Sequence, residues 1–337
     1  MSVGLIDETP WVEKYRPKAF NEIVSQNIAI NNLTEFVLKK NIPHMIFTGP
    51  AGTGKTSTAL IIARTMVGEE AYHRSVLELN ASDTVRMEFV RTVIKNFINH
   101  SLIIDRKSLK FVILDEADNI PTQVQQALRR IIEKTSNSVK FILMCNYINK
   151  IIDPIISRCA VFRFANLSKE LIINRLKFIS KQENLKIPKE KSEKFFDTLY
   201  FISGGDLRKA INTLQMSVAL ELVDNLDLDE LFKISGYVDN DTMDKLIANL
   251  NNRQIGKIKD LLSSIENFDS RNFIRQIVKI LPRLDIKQDK HSLINAFIGE
   301  IDYRISQGAD EKIQMTALLS ELIANMKNKQ FHEGRII

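Results

Sequence analysis

The residues with the most specific chemistry form a short glycine-rich loop. Residues 49–56 read Gly-Pro-Ala-Gly-Thr-Gly-Lys-Thr, which fits the pattern G-x-x-x-x-G-K-[ST]. In such a loop the backbone curls so that its N–H groups face phosphate oxygens, and the helix that follows adds the positive end of its dipole. Lys55 would contact the β- and γ-phosphates of ATP, and Thr56 would offer its hydroxyl to Mg²⁺.

The elements around this loop favour a nucleotide site over a glycine-rich turn that binds nothing. An apolar run, Met45–Phe47, precedes the loop, and a helical pattern follows it from Thr56 to Thr65, which is the order that the motif requires. We therefore predict that ATP is bound by the following consecutive residues: Gly49, Pro50, Ala51, Gly52, Thr53, Gly54, Lys55, Thr56 and Ser57.

A second signal is a pair of carboxylates, Asp115 and Glu116, directly after the apolar run Phe111–Leu114. Such a run predicts a buried strand, and ligands of α/β proteins bind where the strands end. Asp115 would hold Mg²⁺ through water, and Glu116 would act as the general base on the attacking water. Alone, the pair is equally typical of a helix N-terminus. Together with the loop, it predicts ATP hydrolysis.

These residues need a scaffold of parallel strands, and the first half of the chain has the pattern for one. Short, nearly continuous apolar runs alternate with helical patterns, which indicates an α/β fold with a parallel sheet covered on both faces. The predicted strands are His44–Thr48, Val76–Asn80, Phe111–Asp115, Phe141–Asn146 and Ala160–Phe164.

After about residue 166 the strand pattern gives way to helices. One helical pattern includes Leu171 and Leu176, and two more begin near Lys189 and Asp206, with Gly204–Gly205 between them. From about Asp229 to the end the pattern is again helical. We predict three domains: an α/β ATPase domain at 1–165, a small helical domain at 166–230 and an all-helical domain at 231–337.

The composition limits the classes of protein to which this chain can belong. The chain has 337 residues, 44% hydrophobic and 26% charged, enough for more than one packed core. Its apolar runs fall far short of the roughly 18 residues of a membrane helix, and its N-terminal residues lack the pattern of a secretion signal, so we expect no membrane partner. Cys145 and Cys159 have no metal-like or paired spacing, which favours a reducing compartment. The net charge of +6 suits a polyanionic partner, and equally a mildly basic protein without one.

Several blocks, in order from Trp11 to about Gln215, make the sequence similar to the small subunits of replication factor C. Four of them are residues 11–17, 78–83, 114–118 and 125–130, which read W-V-E-K-Y-R-P, E-L-N-A-S-D, L-D-E-A-D and Q-Q-A-L-R-R. The others are residues 145–146, 154–159 and 205–210, which read C-N, P-I-I-S-R-C and G-D-L-R-K-A. The resemblance implies an AAA+ P-loop core, a helical lid and a helical collar through which subunits oligomerise.

The resemblance also implies roles for particular residues. Val12, Tyr15 and Arg16 belong to a box that lies over the adenine; without the resemblance they would form a packing arm. Asn146 would orient the attacking water, although a turn residue is equally common at a strand end. Two arginines complete the set, and each would otherwise be an ordinary surface charge. Arg158 would reach the ATP of a neighbouring subunit as an arginine finger, and Arg208 would sense the γ-phosphate from the lid.

A DNA contact is expected from the segment 84–99. Apolar residues at helical spacing give it one buried face, and Arg91 and Lys95 lie four residues apart on the other, where they would touch phosphates. The alternative is a surface helix with solvated charges. The family usually carries an arginine where this chain has Val85, and Arg86 is the candidate replacement. The loop has Ala51 where the family usually has proline, a harmless change because backbone amides bind the phosphates.

The resemblance predicts a clamp-loader subunit. ATP turnover would open a sliding clamp of the PCNA type and load it onto primer–template DNA, within a pentameric ring of large and small replication factor C subunits. Two alternatives remain: another AAA+ DNA motor, such as a branch-migration helicase, and a scaffold subunit that does not hydrolyse ATP. We expect the protein to be intracellular and soluble, nuclear if eukaryotic and cytoplasmic if archaeal or viral.

Overall fold

The computed structural model describes residues 9–24, 27–81, 92–99, 109–135, 138–225, 227–265 and 268–326. The chain divides into two compact units, Met1–Met216 and Ser217–Ile337. The separation of residues 166–230 as a domain of their own stays a prediction. Among the described residues, no helix has the length and apolarity needed to cross a lipid bilayer.

The first unit is organised around a sheet of five parallel strands in the order β2-β3-β4-β1-β5. All five strands predicted from the sequence are present: two have the predicted bounds, and the other three differ by one or two residues at one or both ends. They are β1 His44–Thr48, β2 Val76–Asn80, β3 Lys110–Asp115, β4 Val139–Cys145 and β5 Cys159–Arg163.

The alternating side chains of the central strands build one core on each face of the sheet. Ile46 of β1 and Leu114 of β3 pack into one core, whereas their neighbours Met45 and Ile113 pack into the other. Since both faces are buried, the strands are apolar along nearly their whole length, as parallel strands between helices must be. This arrangement places the ends of β1, β3 and β4 side by side at one edge of the sheet.

Helices cover both faces of the sheet, and three more follow β5. The first core includes Ile94 and Ile98 from the described part of the predicted amphipathic helix at 84–99, and the second includes Leu33 and Ile62. The helices of this part are α1 Trp11–Lys14, α2 Asn27–Leu38, α3 Lys55–Val67, α4 Tyr72–Ser75, α5 at 92–99, α6 Thr122–Thr135, α7 Asp153–Ile156, α8 Lys169–Gln182, α9 Lys189–Ser203 and α10 Leu207–Ala219.

The described part of the second unit is helical and has its own apolar core. Within it, the buried Gln276 side chain accepts a hydrogen bond from the Val238 backbone N–H at 3.0 Å and donates one to the Val238 carbonyl at 2.7 Å. The amide thereby satisfies backbone groups that would otherwise be buried without partners. The helices are α11 Leu222–Asn225, α12 Leu228–Ile234, α13 Asn240–Asn251, α14 Ile255–Ser263, α15 Ser270–Ile280, α16 His291–Ser306 and α17 Glu311–Ala324.

Candidate nucleotide site

The glycine-rich loop joins β1 to α3, and two of its glycines are required by close contacts. A Cβ atom on Gly49 would lie 2.0 Å from the Phe164 carbonyl oxygen, and one on Gly52 would lie 1.9 Å from Oδ1 of Asp206. Gly52 also has a φ of +69°, in the left-handed region that favours glycine. The loop therefore packs directly against β5 and the start of α10.

Lys55, the first residue of α3, holds the loop in a curled shape. Its Nζ donates to the carbonyls of Gly49 at 2.6 Å and Pro50 at 2.8 Å, and to Oδ1 of Asn146 at 3.1 Å. The side chain is buried, and this burial lowers the pKa of the ammonium, while the nearby Asp115 carboxylate acts to raise it. An ammonium held by three neutral oxygens is well placed to bind phosphate oxygens.

The predicted magnesium ligands lie next to each other. The Thr56 hydroxyl donates to Oδ2 of Asp115 at 3.0 Å, so a residue of α3 meets the end of β3. Hydroxyl and carboxylate oxygens are ligands that Mg²⁺ prefers, and this ion commonly takes only one or two protein ligands beside substrate phosphates. In the described ranges, no cluster of three or more His, Cys, Asp or Glu residues could hold a metal. The donor set at Thr56 and Asp115 fits Mg²⁺ bound together with a nucleotide.

Glu116, the predicted general base, is placed by an unusual backbone conformation. Its φ of +54° lies in the left-handed region, and its N–H donates to Oδ1 of Asp115 at 2.9 Å. The Asn119 amide donates to Oε2 of Glu116 at 3.2 Å. Non-glycine residues in this region carry local strain, which the surrounding structure has to balance. The turn brings the Glu116 side chain to the wall of the same pocket as Lys55 and Thr56.

Asp118 is a residue of this site whose role the sequence did not reveal. Its Oδ2 accepts the backbone N–H groups of Asn146 and Tyr147, each at 3.2 Å, and so ties the turn after β3 to the end of β4. In the sequence, Asp118 was visible as a second aspartate three positions after Asp115, at the end of the L-D-E-A-D block. The contact fixes the backbone of Asn146, whose side chain holds Lys55.

The predicted adenine-binding residues line the same pocket as the phosphate loop. Val12, Tyr15 and Arg16 line it, and Arg16 is paired with Glu13 through its Nε at 2.8 Å. Apolar side chains and one half-buried arginine line the same pocket, namely Pro17, Ile23, Val24, Leu167, Arg175, Leu207 and Ile211. The lining therefore combines a polar set around Lys55, Thr56 and Asp115, which we call the polar end, with a largely apolar set around Val12 and Tyr15, which we call the apolar end. A nucleotide requires both.

Arg208 also lines the pocket, at the beginning of α10. Oδ1 of Asp206 accepts the backbone N–H groups of Arg208 at 2.8 Å and Lys209 at 3.2 Å, in the manner of a helix N-cap. The same Asp206 oxygen lies against Gly52 of the loop. One carboxylate thus sets the distance between the phosphate loop and the helix that carries Arg208.

The remaining loop residues divide between two tasks. Residues 51–57 line the pocket, whereas Gly49 and Pro50 turn their carbonyls toward Lys55.

Arg158, the predicted arginine finger, is not among the described residues that line this pocket. Its guanidinium is exposed, donates to the Pro154 carbonyl at 2.7 Å and pairs with Glu133 of α6 at 2.6 Å. The structure therefore separates Arg158 from the nucleotide pocket of its own chain.

The predicted DNA contacts are only partly described. Lys95 is exposed on α5, whereas Ile94 and Ile98 of the same helix are buried. Arg86 and Arg91 lie outside the described residues.

Comparison with known proteins agrees with this geometry. Residues 45–167 match the model of the ATPase family associated with various cellular activities (AAA), and residues 238–321 match the replication factor C C-terminal domain. A replication factor C small subunit 1 of Pyrobaculum aerophilum is 39% identical over 93% of this chain and 93% of its own length. Small subunits of Staphylothermus marinus and Methanosarcina barkeri are 40% and 37% identical over 94% and 95% of this chain, and over 95% and 98% of their own lengths.

The chain belongs to the replication factor C small-subunit family. It is an AAA+ ATPase that binds nucleotide, and ATP-driven clamp loading is the role of its family. Among solved structures, the Thermotoga maritima RuvB Holliday junction branch migration motor superposes with a TM-score of 0.52, at 15% identity over 81% of this chain and 92% of that one. That likeness shows the AAA+ fold alone. The sequence relationship favours the replication factor C family over the branch-migration alternative.

Proposed function

We propose that this replication factor C small subunit binds ATP with Mg²⁺ in the described pocket and completes the site of a neighbouring subunit with Arg158. The observation that carries the proposal is the convergence of Lys55, Thr56, Asp115 and Glu116 in one pocket whose lining, within the described residues, does not include Arg158. The complete set of hydrolytic residues disfavours a scaffold subunit that binds ATP without turning it over.

At the polar end, Lys55 would exchange the carbonyls of Gly49 and Pro50 for phosphate oxygens as ATP enters. Thr56 and Asp115 would hold Mg²⁺, which neutralises negative charge that develops on the phosphates. Glu116 would take a proton from the attacking water. Asn146, held through its backbone by Asp118, would orient that water. Arg208 would approach the γ-phosphate from the start of α10.

At the apolar end, the pocket would hold adenine. Val12, Tyr15 and Arg16 form a wall with Ile23 and Leu167, and burial of a flat base between such side chains is favourable because it removes apolar surface from water. Backbone groups of the same segment can hydrogen-bond to the edges of the base, which would give the preference for adenine.

The role of Arg158 follows from its position. An arginine finger stabilises the charge of the phosphoryl-transfer transition state and is worth on the order of 10³–10⁵ in rate. Arg158 is exposed, so its guanidinium can reach a second molecule after it leaves Glu133. Exposed ion pairs of this kind contribute little to stability, and the exchange of Glu133 for a phosphate therefore costs little.

The partners follow from the family. We infer that the subunit assembles with large and small replication factor C subunits in a pentameric ring and opens a sliding clamp of the PCNA type. Primer–template DNA would enter the ring, hydrolysis would follow, and the clamp would close around the DNA. On DNA, Lys95 would contact the phosphate backbone together with Arg86 and Arg91.

Steady-state ATPase activity of the assembled complex tests the proposal. We expect ATP turnover to rise when the clamp and primed DNA are added together, and to rise less with either alone. The matched control is a complex in which this subunit carries Lys55→Ala. If neither the clamp nor primed DNA changes the turnover of the wild-type complex, clamp loading is contradicted. The branch-migration alternative would then be favoured, and it predicts that a four-way DNA junction stimulates turnover.

A further inference from the structure

The N-terminal wall of the pocket is fastened to helix α8 by a carboxylate that binds two neighbouring side chains. Oε1 of Glu183 accepts the Tyr15 hydroxyl at 2.5 Å and pairs with Nζ of Lys14 at 2.8 Å. The Glu183 side chain is only 18% exposed, so this contact is better shielded from water than the surface ion pairs of the chain. Charge-assisted hydrogen bonds in such surroundings are stronger than those between neutral groups.

A second contact from α8 reaches the backbone of the same segment. Nη2 of Arg175 donates to the Tyr15 carbonyl at 2.8 Å, and its guanidinium lies 5.0 Å from the centre of the Phe178 ring. Phe178 in turn meets the Tyr15 ring edge-on, with 6.5 Å between ring centres. Arg175, Phe178 and Glu183 therefore form a stripe along α8 that holds Tyr15 by its carbonyl, its ring and its hydroxyl.

The N-terminal segment has a further anchor outside the sheet. The Trp11 N–H donates to Oε1 of Gln215 on α10 at 3.0 Å. Lys55 and Asp115, by contrast, are placed by β1, α3 and β3, which belong to the sheet and its covering helices. Lys55 and Asp115 thus depend on the sheet, whereas the position of Tyr15 depends on helices that follow it.

We propose that Arg175 and Glu183 are positioning residues for the nucleobase of ATP. They fix Tyr15 and the adjoining backbone where that wall meets the base, and they act on the base alone because the phosphates are held by other elements. The inference deepens the proposed function and rests on it. It predicts that substitutions in the stripe on α8 weaken binding of the base and reduce the preference for adenine over guanine. Binding of the phosphates should be unaffected.

The test compares ligands with and without a base. Binding of ATP, GTP and inorganic tripolyphosphate is measured by titration calorimetry for the wild-type chain and for Tyr15→Phe, Arg175→Ala and Glu183→Gln. Tyr15→Phe removes a single oxygen and keeps the ring, so this variant tests the hydroxyl contact even where the other substitutions disturb folding. Lys169→Ala is the matched control, since it removes an exposed ion pair with Asp197 from the same helix.

We expect the three variants of the stripe to bind ATP more weakly by about tenfold, the size of one charge-assisted hydrogen bond, and to bind tripolyphosphate as the wild type does. The ratio of ATP to GTP affinity should fall, and Arg175→Lys should recover part of the affinity. Lys169→Ala should match the wild type for every ligand.

Three outcomes would overturn the inference, and they differ in which part of the proposed function they contradict. Variants that lose affinity for tripolyphosphate as much as for ATP, or that keep full affinity for both, would show that the stripe has no role specific to the base; nucleotide binding in the pocket would then stand. A wild-type chain that binds ATP no more tightly than tripolyphosphate would overturn the base-binding wall itself, and with it that part of the proposed function.

Discussion

The carboxylate of Asp118 accepts the backbone N–H of Asn146 at 3.2 Å and so links the turn that carries Glu116 to the loop that carries Asn146. The same oxygen also accepts the N–H of Tyr147, so the loop is held at two successive residues. Two groups proposed to handle the attacking water are therefore positioned by one side chain.

Asp118→Ala should slow hydrolysis more than it weakens binding. Without the carboxylate the Asn146 loop loses both contacts, and we expect kcat to fall by roughly 10-fold or more while the affinity for ATP changes little, since the phosphate loop is intact. Asp118→Asn keeps an acceptor oxygen and should retain most of the activity. Single-turnover kinetics measures both quantities, and equal losses in the two variants would contradict a role through these hydrogen bonds.

Lys55→Ala and Glu116→Gln should fail in different ways. Lys55→Ala removes the only side-chain cation within the loop at 49–56, so ATP binding itself should be lost. Glu116→Gln keeps the shape of the side chain and removes the base, so ATP should still bind while turnover drops by about 10²–10⁴-fold. Equilibrium binding of a fluorescent ATP analogue, measured beside phosphate release, separates the two effects. Normal turnover in Glu116→Gln would place the base elsewhere.

His44 should make the stability of the first unit depend on pH. Burial, with a smaller contribution from the Lys140 charge, lowers the pKa of His44 from 6.5 to about 4, and its Nδ1 accepts the Phe141 N–H at 3.1 Å. Above pH 6.5 His44 is neutral whether the chain is folded or unfolded. Between about pH 6.5 and 4 the unfolded chain takes up the proton first, so the free energy of unfolding should fall by up to ~3 kcal/mol.

Urea unfolding at pH 7 and pH 4.5 measures this change. His44→Gln keeps an acceptor for the Phe141 N–H and cannot titrate in this range. The variant should therefore lose less stability than the wild type on acidification. An identical pH dependence in both proteins would show that other groups cause the loss.

The proposed DNA contact predicts a change in salt dependence. Lys95→Ala should make the slope of log affinity against log salt shallower by about one phosphate contact, and the double variant with Arg91→Ala by about two. Lys39→Ala is the control, because Lys39 lies just after the end of α2, away from α5 in the sequence, and pairs with Glu35 at 2.9 Å. Unchanged slopes on primed DNA would contradict the DNA contact and would favour the alternative, in which the charges of this helix are simply solvated.

The sequence was enough to predict the five strands and the residues at the polar end of the pocket. Both depend on local patterns: parallel strands buried on both faces are continuously apolar, and the loop motif is contiguous. The starts of β3 and β4 were less well predicted because a lysine, Lys110 or Lys140, stands at or next to each of them. Lys110 begins β3 although it is charged, since it is buried with its ammonium 5.3 Å from the centre of the Phe97 ring.

Contacts between distant parts of the chain were beyond prediction from local patterns. Tyr15 meets Glu183 across 168 positions and Arg175 across 160, and each partner by itself reads as an ordinary charge on a helix surface. The pairing of Arg158 with Glu133 could not be predicted from the sequence for the same reason. The family resemblance supplied roles for Arg158 and Arg208, but the side chains that position them come from the structure.

The central claim, an ATP site completed by Arg158 of another subunit, is tested most directly by mixing two inactive variants. In rings built from this chain, Lys55→Ala alone and Arg158→Ala alone should each be nearly inactive, while Arg158→Ala should still bind ATP. Mixed rings contain some interfaces that pair an intact Lys55 with an intact Arg158 of the neighbour, so phosphate release should return in part, and most strongly near equal proportions. Mixtures that assemble normally and release no more phosphate than their components would contradict the claim.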